Sequence, residues 1–218
     1  MSQEKKIDGM ERRNFANSIE IRESSSQDNS VKKIGGYALK YNSPTLIRDI
    51  WGDEWLEEFA PGAFDESLAN CKTEGSEIKC LWNHDTTKPL GSTKHDTLTF
   101  DTNNREGLNY EVELPNNTWG ADALESVSRG DVDGSSFGFK VKNDKWSTVE
   151  YEGRTIDKRT VLDAGLYEVS PCTFPAYGSS EISCRSRKDY IETKDELRIK
   201  RIKEESRLMD IQLENRSV

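Results

Sequence analysis

Residues 97–114 read TLTFDTNNREGLNYEVEL, and this stretch sets the fold class. A polar turn at 103–107 separates two segments in which apolar and polar residues alternate. The apolar positions are Leu98, Phe100, Leu108, Tyr110, Val112 and Leu114. An alternation with a period of two places these side chains on one face of a strand pair. The stretch therefore predicts a half-buried antiparallel β-hairpin.

Further segments on either side of this hairpin also show strand-like patterns. The additional strand candidates are Ser18–Glu23, Ile34–Lys40, Lys79–Trp82, Phe137–Val141, Thr148–Tyr151, Arg154–Asp157 and Gly165–Ser170. Two short helices are predicted, one after Pro61-Gly62 and one from about Trp119 to Ser128, with Gly130 as its stop. Many short strands with few helices predict a mainly β, α+β fold, namely an antiparallel β-barrel of about seven strands decorated with helices.

Composition divides the 218 residues into one ordinary domain and a charged tail. Residues 1–12 read as a flexible N-terminal lead-in, and 13–185 as the domain. Residues 186–218 hold nine basic and eight acidic residues, with apolar residues at loosely helical spacing. This pattern predicts a charged C-terminal helix. A solvated helix and a partner-docking or removable segment both fit it.

Charge and cysteine usage exclude several classes of function. The chain has 31 basic and 40 acidic residues, a net charge of −9, whereas nucleic-acid binding needs a basic surface. No apolar run approaches the roughly 20 residues of a membrane span. The four cysteines include no CxxC pair and are expected to be reduced. A zinc site would group Cys71, Cys80, His84 and His95, whose spacing is too irregular.

Three polar side chains in apolar surroundings are candidates for chemistry. His84 follows the strand candidate Lys79–Trp82 and precedes a polar loop, whereas His95 lies among polar residues and is expected at the surface. In an extended segment, Ser135 shares a face with Phe137, which belongs in the core. Ser136 then lies on the opposite face, beside a glycine that leaves open space.

Glu168 is the third candidate, because it sits in an apolar strand. A buried carboxylate must be paired. It could meet a lysine or arginine, or it could hold the imidazole of His84 in the tautomer that accepts a proton from a serine.

Several motifs, taken in order, are similar to those of a known family. They are Gly36-Tyr37-Ala38 with Tyr41-Asn42-Ser43, EFAPGAF at 58–64, LWNHD at 81–85 with Leu90-Gly91, SFGF at 136–139, and LYEVS at 166–170 with Pro175-Ala176-Tyr177. Over residues 30 to 180 the chain resembles the prohead (procapsid) maturation serine proteases of tailed bacteriophages, a family related in fold to the herpesvirus assemblins. The resemblance implies an assemblin-like barrel.

The resemblance also implies a catalytic set of His84, Ser136 and Glu168. The family often carries a bulky residue at the position of Ser135, and the facing argument above assigns the nucleophile to Ser136. Assemblins use a second histidine as third member, which would correspond to His95. Because His95 lies in a polar loop and the phage family's acidic residue is present, Glu168 is the preferred third member.

By resemblance, the function is that of a serine endopeptidase of capsid maturation, working without a cofactor or metal. The implied substrates are the major capsid protein with its scaffold region and the protease itself, by autocleavage. The implied setting is the immature capsid in the host bacterial cytoplasm, and a homodimer is an implied assembly. Nucleic acid and membrane are not expected partners. The alternative is a non-catalytic capsid assembly or scaffold factor with the same fold.

Overall fold

The structure, a computed structural model, describes residues 9–15, 19–22, 31–48, 52–173, 191–193 and 195–207. The strands of this part are β1 Glu11–Phe15, β2 Ile19–Arg22, β3 Lys33–Lys40, β4 Thr45–Arg48, β5 Glu54–Phe59, β6 Lys79–Trp82, β7 Asp85–Ser92, β8 Leu98–Phe100, β9 Gly107–Glu113, β10 Gly134–Tyr151 and β11 Arg154–Cys172. The helices are α1 Asp65–Asn70 and α2 Thr118–Ser128, and a single 3-10 turn covers Thr93–His95. The mainly β prediction is confirmed.

A seven-stranded sheet is built around the long hairpin of β10 and β11. Its main path runs β1-β10-β11-β5-β4. One edge of β11 pairs with β10. The opposite edge of β11 pairs in parallel first with β5, at 158–161, and then with β6, at Glu168 and Val169. β6 in turn pairs with β7. The sheet therefore forks at β11, and the fork brings β6 beside Glu168.

A second sheet has four strands in the order β2-β3-β9-β8. It contains the hairpin on which the fold prediction was based, because β8 and β9 pair antiparallel with Leu98 opposite Val112. Both of these side chains are buried, as the alternation predicts. This hairpin prediction is confirmed.

One hydrophobic core unites residues of both sheets and both helices. At its centre Phe59 stacks on Phe64, with ring centroids 5.6 Å apart, and contacts the edges of Phe137 and Phe139 at 5.5 and 5.1 Å. Tilted and edge-on ring pairs add to the stabilisation from burial alone. This packing anchors the start of β10, and with it the backbone around residue 136.

The predicted barrel closure is wrong: over the described residues, neither sheet closes on itself. Closure would require the first strand of the path, β1, to pair with an end strand such as β4 or β7, and the described strands show no such pairing. The physical reason is the fork. One edge of β11 pairs with two different strands, β5 and β6, so the sheet divides there and does not continue through one neighbour toward closure. The result is two sheets over a common core.

The predicted lead-in overlaps a strand. Glu11 and Arg12 belong to β1, and 1–8 lie outside the described residues. The division into lead-in, domain and tail stays a prediction. Two compact units divide the chain, at 1–180 and 181–218. In the second unit, residues 195–207 are helical and exposed. None of the helices in the described ranges is long and apolar enough to cross a membrane.

Candidate active site

His84 occupies a tight turn between β6 and β7. Trp82 pairs with Asp85, so Asn83 and His84 form a two-residue connection, and both have positive φ, of 50° and 62°. Such a turn is the type I′ hairpin, whose twist matches that of its strands. The backbone N–H of Asn83 donates to the Pro171 carbonyl at 3.0 Å, and this bond connects the turn to the end of β11. The imidazole is thereby directed toward β11.

Glu168 lies on β11 next to a β-bulge. Gly138 pairs with Glu168 but Phe139 pairs with Leu166, so Tyr167 is the extra residue. Without it, Leu166 and Glu168 would share a face. With it, Leu166 packs in the core, and Glu168 points to the opposite face. A bulge that redirects a side chain in this way is common beside active sites.

The Glu168 carboxylate has three hydrogen-bond donors. His84 Nδ1 lies 2.9 Å from Oε1, Arg12 Nε donates to the same oxygen at 2.8 Å, and Ser170 Oγ donates to Oε2 at 3.2 Å. Because an ionised carboxylate only accepts, the contact favours a proton on Nδ1 and leaves Nε2 free to accept one. The sequence left two kinds of partner possible for Glu168, a basic side chain or His84. The structure shows both, since Arg12 and His84 each contact the carboxylate.

Burial is the strongest single influence on the ionisation of Glu168 and opposes it. The hydrogen bond and charge of His84, followed by those of Arg12, outweigh burial and hold the pKa of the Glu168 carboxyl below its ordinary value. Glu168 is therefore an anion in the neutral range. An anion in this position can stabilise an imidazolium that forms on His84.

Gly138 provides the space that the carboxylate occupies. A Cβ at this position would lie 2.8 Å from Cγ and 3.0 Å from Oε1 of Glu168. The sequence predicted open space here, and the structure fills that space with Glu168, the direct cross-strand neighbour. Any residue larger than glycine would displace the carboxylate.

Ser136 lies on the same face of the β10–β11 hairpin. It is opposite Ser170 in register, one diagonal step from Glu168. It is 0% exposed, and its Oγ donates to the carbonyl of Arg13 on β1 at 3.0 Å. Among the described residues no hydrogen bond joins Ser136 to His84. The structure thus brings His84 and Glu168 into contact and places Ser136 next to them, facing another partner.

Ser135 faces the other way, as the alternation predicts. Its Oγ lies 3.0 Å from the Tyr110 hydroxyl inside the core, and it is 0% exposed. His95 is exposed in the 3-10 turn and lines an open cleft of about 970 Å³ beside Leu81 and Pro89. The cleft contains none of the three predicted catalytic residues. Neither Ser135 nor His95 contacts Glu168.

β1 is the sheet neighbour of β10, on the side away from β11, and a cluster of buried charges holds it there. Arg13 donates to Glu57 at 2.5 Å and to Glu11 at 2.9 Å, and Arg159 donates to the same two carboxylates at 3.1 and 3.2 Å. Burial is the largest single influence on Glu57 and would by itself raise its pKa. The charges and hydrogen bonds of Arg13 and Arg159 outweigh burial, so the pKa of Glu57 lies below its ordinary value. Each buried charge is compensated, which satisfies the condition for burying ions.

Sequence reasoning missed two partners of the site, Arg12 and Ser170. Ser170 was open to prediction, because it lies two residues beyond Glu168 and so shares its strand face. Arg12 was not, because the charged segment ERRNF has none of the apolar alternation that indicates a strand.

The comparisons with known proteins agree on one family. The profile of the Caudovirus prohead serine proteases matches residues 17–196. The chain is also 32% identical over 160 residues to the prohead protease of Enterobacteria phage HK97, a match that covers 72% of this chain and 62% of that protein. It thus spans less than two thirds of that relative's length. No solved structure matches the chain. On the extent of the profile match, the chain belongs to the Caudovirus prohead serine protease family.

Proposed function

We propose that this protein is a serine endopeptidase of capsid maturation in which Ser136 is the nucleophile, His84 the general base and Glu168 the residue that orients His84. The observation that carries the proposal is the 2.9 Å contact between His84 Nδ1 and the buried carboxylate of Glu168. This carboxylate lies on the same face of the β10–β11 hairpin as Ser136. A nucleophile, a base and an orienting acid are the parts that acyl transfer by serine requires.

The reaction follows from these roles. His84 Nε2 removes the hydroxyl proton of Ser136 as Oγ bonds to the peptide carbonyl carbon, giving a tetrahedral oxyanion and an imidazolium. The imidazolium returns its proton to the leaving amine as the C–N bond breaks, which leaves an acyl-enzyme. Water, deprotonated by His84, then releases the acid and regenerates Ser136. Base catalysis of this type contributes typically about 10²–10⁴-fold.

The covered position of Ser136 sets a condition on this reaction. Its hydroxyl donates to the Arg13 carbonyl of the neighbouring strand β1 and is fully buried, so it must turn to His84, and the groups that bury it must move before a substrate can reach it. This same burial is what favours the second candidate, a non-catalytic assembly factor that keeps the fold and does not use the site. The two candidates make opposite predictions about capsid protein cleavage.

The proposed substrates are the capsid protein's scaffold region and the enzyme itself, inside the immature capsid. A homodimer is a further proposal by resemblance. Charge and helicity support a role for the tail in recruitment: in the helix at 195–207, Leu197, Ile199 and Ile202 are all more than half exposed. Exposed apolar side chains on a charged helix suit docking to a partner. We propose that residues 186–218 hold the protease in the assembling capsid.

Co-expression with the phage's major capsid protein tests the catalytic proposal. The wild type is expected to shorten the capsid protein, as measured by intact-mass spectrometry, and Ser136→Ala is expected to leave it at full length while remaining folded. Ser135→Ala is the matched control, since it removes a buried hydroxyl from the opposite face of the same strand. Uncleaved capsid protein with the wild type, or cleavage with Ser136→Ala, would support the non-catalytic alternative or another nucleophile.

A further inference from the structure

We propose that Ser170 is a positioning residue that holds the Glu168 carboxylate in the orientation His84 needs; this inference rests on the function proposed above. Ser170 is 0% exposed, and its Oγ donates to Oε2 of Glu168 at 3.2 Å. The same carboxylate receives His84 on its other oxygen, Oε1. Ser170 thus fixes the oxygen that His84 does not touch.

This contact follows from the local backbone. Beyond the bulge at Tyr167, residues 168 and 170 point to the same face of β11. Ser170 is also paired with Ser136 across the hairpin, in a register fixed by the hydrogen bonds of β10 and β11. The Ser170 hydroxyl therefore belongs to the rigid frame that carries both Ser136 and Glu168.

The effect of the bond is orientational. The terminal torsion of a glutamate is broad, so a carboxylate held through one oxygen can rotate about its last bond. A donor on Oε2 restricts that rotation and keeps Oε1 toward His84 Nδ1. Catalytic groups lose much of their efficiency when the residues that support them leave them loose.

Arg12 also contacts Glu168, but it is less suited to this role. Its side chain is 44% exposed, and exposed ion pairs contribute little. It reaches Glu168 from β1, the next but one strand from β11 in the sheet. Ser170 is fully buried and lies two residues from Glu168 on the same strand, so the backbone of β11 alone sets their contact.

Ser170 is, with Ser136, a second serine on this face of the hairpin, so the question arises whether it is itself a nucleophile. Its hydroxyl donates to a carboxylate and not to an imidazole, among the contacts of the described residues. Ser136 donates to a backbone carbonyl, from which its hydroxyl can turn to His84, whereas the Ser170 proton is held by the carboxylate that contacts His84. We therefore assign Ser170 to support and keep Ser136, on the motif resemblance, as the nucleophile.

The test compares Ser170→Ala with Ser170→Thr, which keeps the hydroxyl, and with Ser135→Ala, which loses a buried hydroxyl that does not touch Glu168. The first readout is the pH dependence of labelling by a serine-reactive phosphonate. Because hydrogen bonds to charged groups are the stronger class, we expect Ser170→Ala to label about tenfold more slowly. Its acid limb should move to higher pH, since the His84–Glu168 pair holds its proton more tightly once a donor to the carboxylate is lost.

The second readout does not depend on catalysis: the titration of the Glu168 side-chain carboxyl by ¹³C NMR. We expect a higher apparent pKa in Ser170→Ala than in the wild type, recovery in Ser170→Thr, and no change in Ser135→Ala. An unchanged titration in Ser170→Ala, an equal shift in Ser135→Ala, or a phosphonate adduct on Ser170 would each overturn the inference. An unlabelled wild type with the expected NMR shift would instead count against the proposed function and leave the positioning contact established.

Discussion

His84 Nδ1 lies 2.9 Å from Oε1 of Glu168, a residue 84 positions further along the chain. The contact joins a two-residue turn to a bulged strand, and neither element would place its side chain correctly without its irregular backbone. The pair is the part of the proposed mechanism that the geometry supports most directly.

Replacing the carboxylate by an amide tests that pair. We expect Glu168→Gln to reduce capsid protein cleavage by about 10³–10⁴-fold, since an amide can favour the wrong imidazole tautomer. His95→Ala is the control and should cleave at the wild-type rate. A loss of cleavage in His95→Ala with an active Glu168→Gln would instead indicate a second histidine as third member.

A single added methyl group at Gly138 should displace Glu168. In Gly138→Ala the Cβ would lie 2.8 Å from Cγ of Glu168, so the carboxylate must move and cleavage should fall by at least about tenfold. Gly165→Ala serves as control, because its nearest neighbours are side-chain atoms at 3.9 Å. Initial rates of peptide cleavage measure both, and equal rates would contradict the packing at Gly138.

The buried charges that hold β1 in the sheet should contribute measurably to the free energy of unfolding. Arg159→Met leaves Glu11 and Glu57 short of a partner, and breaking a buried pair typically costs about 3–5 kcal/mol. Arg154→Met removes an arginine that is half exposed, and should cost about 0–1 kcal/mol. Urea unfolding measures both, and a similar loss in the two variants would argue against a buried cluster.

Acidification should destabilise the protein through the same carboxylates. The folded-state pKa of Glu57 and of Glu168 lies below the ordinary value, so each contributes stability that is present above the unfolded value of about 4.3. That contribution is lost as the pH falls through the folded value. In urea unfolding at a series of pH values, Glu168→Gln should lose less stability than the wild type below about pH 4.5. A parallel decline in both proteins would contradict the shift.

Removing the tail separates chemistry from recruitment. A protein ending at residue 185 should keep its fold and cleave a peptide substrate, yet fail to enter assembling proheads. Sedimentation of proheads followed by immunoblotting measures incorporation. Normal incorporation of the shortened protein would rule out the tether.

The apolar strands were predictable and the charged ones were not. The β8–β9 hairpin was predicted because its apolar residues face a core, which leaves a period of two in the sequence, and β6 because it is a short apolar run. β1 was missed because its buried residues, Glu11 and Arg13, are stabilised by partners more than 40 positions away. Such compensation is invisible in a local window.

The two long strands were predicted only in pieces. β10 continues through residues 142–147, which are mostly polar and lie outside the core, so no apolar pattern marks the strand there. The bulge in β11 likewise changes which face each residue takes, and its position depends on pairing with β10. The three candidate catalytic residues were singled out as polar residues in or beside apolar segments and assigned roles by resemblance, and those roles stay a prediction.

The central claim is that Ser136 is the nucleophile activated by His84. Peptide mapping by mass spectrometry of enzyme treated with a serine-reactive phosphonate during capsid protein cleavage tests it most directly. We expect one adduct, on Ser136, that is absent from Ser136→Ala and strongly reduced in His84→Ala. An adduct on Ser135 or Ser170, or cleavage of the capsid protein with Ser136 unmodified and the adduct elsewhere, would contradict it.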